Sequence, residues 1–164
     1  MKKTLLFLAF LVACGGEEAP DVVVVSTSKP VGKMAADPGT AFSVADAKEE
    51  LPTEEIIVVG RIHRMVKGYA TFTLMDDKLD FCGEVQKEDT CKTPWDYCCS
   101  TTEELRQHRA TVKVVDAEGK TLKVDLKSAG QIEELKTLVV KGMVAEGSDQ
   151  KNLIIEAKGI YVEN

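Results

Sequence analysis

From residue 54 to the end of the chain, apolar and polar positions alternate with a period of two. Ile56, Val58, Gly60 and Ile62 share one face of a first run. Ala70, Phe72 and Leu74 follow beyond the turn residues Lys67 and Gly68, and Ala110, Val112 and Val114 make a third run. After the turn Asp116-Ala117-Glu118-Gly119, Leu122, Val124 and Leu126 alternate with Thr121, Lys123, Asp125 and Lys127. Leu138, Val140, Gly142 and Val144 form a fifth run, and Leu153, Ile155 and Ala157 a sixth. Such alternation, punctuated by turn residues, predicts strands of an antiparallel sheet with one face buried. A single short helical stretch is expected over 131–136, between the fourth and fifth runs. Residues 54–164 are enough for one domain with a real core.

Two shorter helix signals lie outside that frame. Ser43 is placed to cap a helix running to Glu50, and Thr101 or Thr102 to cap one that carries Glu103, Glu104, Arg106 and His108. Gly60 and Gly142 fall in mid-strand, where the missing Cβ lets a strand bend between two halves of a barrel. The stretches Val59-Gly60-Arg61-Ile62, Phe72-Thr73-Leu74-Met75-Asp76, Leu138 to Val144 and Leu153-Ile154-Ile155-Glu156-Ala157 together resemble the strand pattern of OB-fold domains. The resemblance implies an all-β class: a five- to six-stranded antiparallel barrel with one short helix. It leaves function open, because one scaffold hosts many tasks. The departure from the pattern is the connection at 77–109, which is long for a compact domain and so a natural place for function.

Composition separates the N-terminal third from this domain. Residues 15–53 hold four of the five prolines (Pro20, Pro30, Pro38 and Pro52) and many Ala, Asp, Glu and Ser. They read as a flexible stalk, with the apolar residues 22–25 as an alternative edge strand. Ahead of the stalk, Lys2 and Lys3 precede an apolar run from Leu5 to Ala13 that is too short to span a bilayer. The run ends Leu11-Val12-Ala13-Cys14, followed by Gly15 and Gly16. This resembles the lipobox of bacterial lipoproteins. The resemblance implies removal of residues 1–13, lipid on the Cys14 thiol, and a mature stalk over 14–53. The absence of aspartate at Gly15 implies outer-membrane sorting over inner-membrane retention.

Removal of residues 1–13 takes two lysines and no acids, which leaves 19 basic against 27 acidic residues and a net charge of −8. A chain this acidic gains no counterion-release energy on a polyanion, so nucleic acid is disfavoured as a partner. The expected partners are the membrane, through the lipid, and a protein or glycan of the cell envelope.

The insertion concentrates unusual chemistry. Cys82, Cys91, Cys98 and Cys99, the sole tryptophan (Trp95) and Tyr97 fall within Cys82–Cys99. The string Thr93-Pro94-Trp95-Asp96-Tyr97-Cys98-Cys99 resembles one in exported bacterial proteins, a resemblance that implies no activity. In an oxidising compartment an even number of cysteines reads as disulfides. A bond between adjacent Cys98 and Cys99 needs a strained ring, so the expectation is that Cys82 and Cys91 each pair with one of them. Each bridge would stabilise the loop by roughly 2–3 kcal/mol. The second reading is a thiolate site for zinc, copper(I) or an iron–sulfur cluster, since four sulfurs suit tetrahedral coordination. The spacing opposes it, for no Cys-x2-Cys pair occurs. A redox role for one labile disulfide is the third. Trp95 and Tyr97 read either as a cover for the cysteines or as an exposed pair that stacks on a ligand.

Catalytic signatures are missing from the sequence. No phosphate-cradling glycine loop, nucleophile elbow or zinc-protease helix occurs. His63 and His108 are expected to be solvated. The reading is therefore a tethered binding module, not an enzyme, with no cofactor, and metal binding by the four cysteines as the alternative.

Overall fold

A computed structural model describes residues 41–85, 91–127 and 132–162. Five strands close into a barrel: β1 (Ile56–Met65), β2 (Thr71–Met75), β3 (Arg109–Val114), β4 (Thr137–Val144) and β5 (Leu153–Val162), in the order β1-β2-β3-β5-β4. Among the described residues three short helices accompany them: α1 (Val44–Glu50), α2 (Cys82–Val85) and α3 (Thr102–Gln107). The all-β, OB-like barrel expected from the alternation is the architecture found. Four of the strand pairings are antiparallel, and β3 with β5 is parallel.

The inward residues are those the period of two selects. Val58, Ile62, Phe72, Leu74, Val112, Leu138, Val140 and Ile155 are all at most 1 % exposed. The two longest strands do double duty. β1 pairs with β4 through residues 56–61 and with β2 through 61–65, so it turns a corner near Gly60. A Cβ on Gly60 would lie 2.4 Å from the Met75 carbonyl oxygen, and one on Gly142 would lie 2.2 Å from that of Glu156. Both glycines allow neighbouring backbones to approach closely where the barrel closes, as their mid-strand placement suggests.

The fourth alternating run is not a strand. Thr121 makes one isolated bridge to Val115, and Leu122 exchanges hydrogen bonds with Val114 and Ala70, but the rest of 121–127 is irregular. The reason is topological. β3 already has β2 on one edge and β5 on the other, and a closed barrel leaves no free edge for a sixth strand. Alternation still reports burial: Leu126 is 5 % exposed and joins the core, while Val124 is 43 % exposed.

Nor is there a helix over the described part of 131–136. Ile132 plugs the core at 1 % exposure, and Leu135 adopts φ 67°. The Leu135 N–H donates to the Ile62 carbonyl and the Ile62 N–H to that of Lys136, which leads the chain into β4. The apolar spacing that suggested a helix serves a turn that plugs the barrel.

Helix α1 is capped as expected: the Ser43 side chain accepts from the Asp46 N–H. It does not belong to a free stalk. Val44 and Ala47 are fully buried, and Phe42 bridges Val58 as a parallel strand residue. Residues 41–53 thus pack with the barrel, and the packed unit begins upstream of residue 54. The lipobox, Cys14 and residues 22–25 lie outside the described residues.

Candidate functional site

The insertion docks as a built structure on the outer face of β1. Thr93-Pro94-Trp95-Asp96 closes a turn in which the Asp96 N–H donates to the Thr93 carbonyl at 2.9 Å. Proline at the second position suits that turn, with its φ already set. The same segment clips onto the start of α2: the Cys82 N–H donates to the Asp96 carbonyl and the Gly83 N–H to the Pro94 carbonyl, both at 2.8 Å. Further along, Thr101 and Glu104 cap α3 reciprocally in a capping box. These local bonds explain how the described parts of a long connection hold their shape around a small number of apolar residues.

Side chains then fasten the loop to the barrel. Tyr97 is 1 % exposed, and its ring meets His63 edge-to-face with centroids 5.2 Å apart. Asp96 Oδ1 accepts from the Tyr97 N–H at 2.8 Å and lies 3.0 Å from His63 Nε2. The Tyr97 N–H, aided by His63, holds the Asp96 carboxyl below the usual carboxylate range. Burial depresses the His63 imidazole, against the pull of Asp96. An ionised Asp96 only accepts, so Nε2 carries the His63 proton. On the other side of the loop, the Arg61 guanidinium reaches Glu84 at 3.0 Å and lies 5.4 Å above the Phe81 ring.

This corrects the expectation for both histidines. The His63 side chain is only 12 % exposed and sits beneath the loop as its central anchor. His108 closes α3, its Nδ1 buried without a hydrogen bond, 3.7 Å from the wholly buried Asp76 carboxylate. The outward direction of His63 was legible from strand parity. Its cover was not, because it comes from residues 33 and 34 positions away in sequence.

The aromatic pair divides. Tyr97 is buried, whereas Trp95 is 48 % exposed. Trp95 therefore projects from a rigid turn whose neighbours are pinned.

The four cysteines come together as free thiols. Cys82 Sγ lies 2.9 Å from Cys98 Sγ, Cys91 Sγ lies 3.9 Å from Cys98 Sγ, and the sulfurs of Cys82, Cys98 and Cys99 all fall within 4.8 Å of one another. Cys82 is buried beneath the loop and Cys98 and Cys99 are exposed. Burial raises the Cys82 thiol, but hydrogen bonds from Cys98 and Cys99 outweigh it, and the thiol ends below its ordinary value. The contact with Cys82 pushes Cys98 up to about 12 and raises Cys99 as well. The hydrogen bonds that Cys82 receives from Cys98 and Cys99 thus shift it toward the thiolate.

Beside the cysteines, a cleft of about 320 Å³ opens between the loop, α3 and the barrel wall, with Cys98, Arg64 and Arg109 among its lining residues. One residue the sequence did not flag controls the neighbouring corner. Lys48 of α1 is 3 % exposed, and its ammonium donates to the carbonyls of Arg106, Arg109 and Lys151. Nothing in the local sequence marks it, and only the docking of α1 reveals its role.

No protein-family profile and no curated protein matches the chain. Among solved structures, one described as the crystal structure of an aspartyl-tRNA synthetase from Leishmania major Friedlin is similar at 14 % identity and a TM-score of 0.42. The match covers 83 % of this chain and 23 % of that one, so this chain spans under a quarter of the protein it resembles. A likeness at that score carries no functional argument.

Proposed function

We propose that the chain is an exported, lipid-anchored binding module that contacts an envelope protein or glycan through its cysteine-pinned loop. The observation that supports this most is the division of the aromatic pair. Tyr97 is spent on fastening the loop, and Trp95, two residues away, is left 48 % exposed on a turn closed by Pro94. A large aromatic ring held out on a rigid support is a favourable contact, since little side-chain or backbone entropy remains to be lost when a partner covers it. The barrel serves as the rigid mount. The lipid on Cys14 and the export signal remain the sequence-based part of the reading.

Two experiments test it. Cells carrying the wild-type chain or Cys14→Ser are fractionated: the wild type should sediment with membranes and be released by detergent, and the variant should be soluble. Membrane association of Cys14→Ser would refute the anchor. For the contact, a photo-crosslinking residue is placed at position 95 and, as a control, at Glu118 on an exposed turn. Position 95 should yield a discrete adduct in intact cells that position 118 does not. Identical adducts from both positions, or none from 95, would refute the binding role.

A further inference from the structure

We propose that Cys82, Cys91, Cys98 and Cys99 hold a single soft d10 metal ion, which is the clamp that closes the loop of the binding module. This deepens the reading above by naming what pins the loop.

The sulfurs do not sort into two pairs. Two disulfides use each sulfur once, in pairs. Here Cys98 Sγ has Cys82 Sγ at 2.9 Å and Cys91 Sγ at 3.9 Å, and Cys99 Sγ shares the same 4.8 Å sphere with Cys82 and Cys98. No division into two pairs uses all these approaches. A central ion on Cys82, Cys98 and Cys99 uses every approach within that trio, and Cys91, outside the trio but 3.9 Å from Cys98, closes onto it as the fourth ligand.

Size agrees with one ion. A tetrahedral site with zinc–sulfur bonds of about 2.3 Å places its sulfurs about 3.8 Å apart. The Cys91–Cys98 separation of 3.9 Å already has that value. The Cys82–Cys98 contact would open by about 0.9 Å, and Cys98 has room to move because it is exposed. Thiolates select soft or borderline ions over magnesium or calcium, which prefer oxygen. The sequence spacing weighed against a metal because it lacks a Cys-x2-Cys knuckle. The fold supplies the convergence by another route: the turn at Thr93–Asp96 clips onto α2 at Cys82 and Gly83, bringing the start of the cysteine-bearing segment beside the turn that precedes Cys98 and Cys99.

Protons and charge balance simply. Each thiol that ligates releases one proton to solvent, and the ion exchanges its water ligands for sulfur. Cys82 forms the buried floor, and Cys98 and Cys99 form an open outer side through which an ion can enter and leave.

The test uses the full chain, purified in detergent and kept reduced and anaerobic, with zinc(II) as the probe. Zinc is titrated in against a chromophoric chelator while cysteine alkylation and native mass are followed. One zinc per chain should bind, the four loop thiols should become protected from alkylation, and protons should be released. Cys98→Ser and Cys99→Ser should each weaken binding by at least about tenfold, since even the loss of a group supporting a ligand costs that much. Glu118→Gln, on an exposed turn away from the loop, should bind zinc as the wild type does. Far-ultraviolet circular dichroism on each variant separates a lost ligand from a lost fold. Zinc left with the chelator by folded, reduced protein would overturn the proposal, as would binding that leaves the loop thiols open to alkylation. So would protein, handled anaerobically from the cell onward, whose four loop sulfurs are all in disulfides. None of these results bears on the crosslink at position 95, so the clamp and the binding role fail separately.

Discussion

Tyr97 buries its ring against His63 on the outer face of β1, yet its hydroxyl, near Arg61, makes no hydrogen bond of good geometry. Burial pushes its pKa up, against the nearby charge of Arg61. A buried hydroxyl without a partner contributes nothing favourable, while the ring it belongs to is a large apolar surface. Tyr97→Phe should therefore unfold at the same denaturant concentration as the wild type or a higher one, and Tyr97→Ala should cost about 3–5 kcal/mol. Gly142 offers a second single-residue test. An alanine there would place its Cβ 2.2 Å from the Glu156 carbonyl oxygen, which is backbone and has little freedom to give way. Gly142→Ala should cost about 2 kcal/mol or more in urea unfolding, whereas alanine at Gly60 meets a similar block from the Met75 carbonyl oxygen. A smaller loss at both positions would mean that the strands slide past one another at the seam.

At the scale of elements, two attachments decide what moves. The loop is fastened by His63 and Asp96, and both titrate below their ordinary values of 6.5 and 3.8. A depressed pKa means that the folded state binds fewer protons than the unfolded state. The stability each group contributes is present above its unfolded value and is lost as pH falls through the folded one. Both groups act in the same direction, so the docked loop should be fully stable above about pH 6.5 and weaken on acidification, first through His63 and then through Asp96. Amide exchange at Tyr97, whose N–H donates to Asp96, should speed up relative to the barrel strands as pH falls below that range, after correction for intrinsic rates. In His63→Gln the upper part of this dependence should disappear. Helix α1 is the second attachment. Lys48 gathers carbonyls from the end of α3, the start of β3 and the β4–β5 turn, and buried Asp76 accepts from the Ala45 N–H at 2.8 Å. Lys48→Met keeps the stem but leaves those carbonyls without their donor, and should cost about 2 kcal/mol in thermal or denaturant unfolding.

For the molecule as a whole, the contacts of α1 set where the packed unit starts. A chain beginning at residue 41 retains Phe42, Val44, Ala47 and Lys48 and should unfold cooperatively. One beginning at residue 54 loses their burial and should be less stable by about 3 kcal/mol or more. Equal stability of the two would show that α1 rests on the barrel without supporting it. Much of this molecule could be read directly from its residues. Period-two alternation identified all five barrel strands and their inward faces, because the side-chain direction of a strand is a local property of the pleat. The cap at Ser43 was equally legible, and the second was narrowed to Thr101 or Thr102, of which the structure uses Thr101, since a cap bonds a backbone N–H only a few residues away. The crowding of Cys82, Cys91, Cys98 and Cys99 marked the loop as the place of interest. Tertiary structure alone decided the rest. Residues 121–127 alternate like a strand but find both edges of β3 occupied, which is a fact of barrel closure and not of their own sequence. His63 became an anchor, Lys48 became a buried strut, and Tyr97 separated from Trp95 because each depends on partners distant along the chain. The convergence of four sulfurs belongs to the same class: spacing shows how much chain separates them, and only the fold brings them within reach of one another.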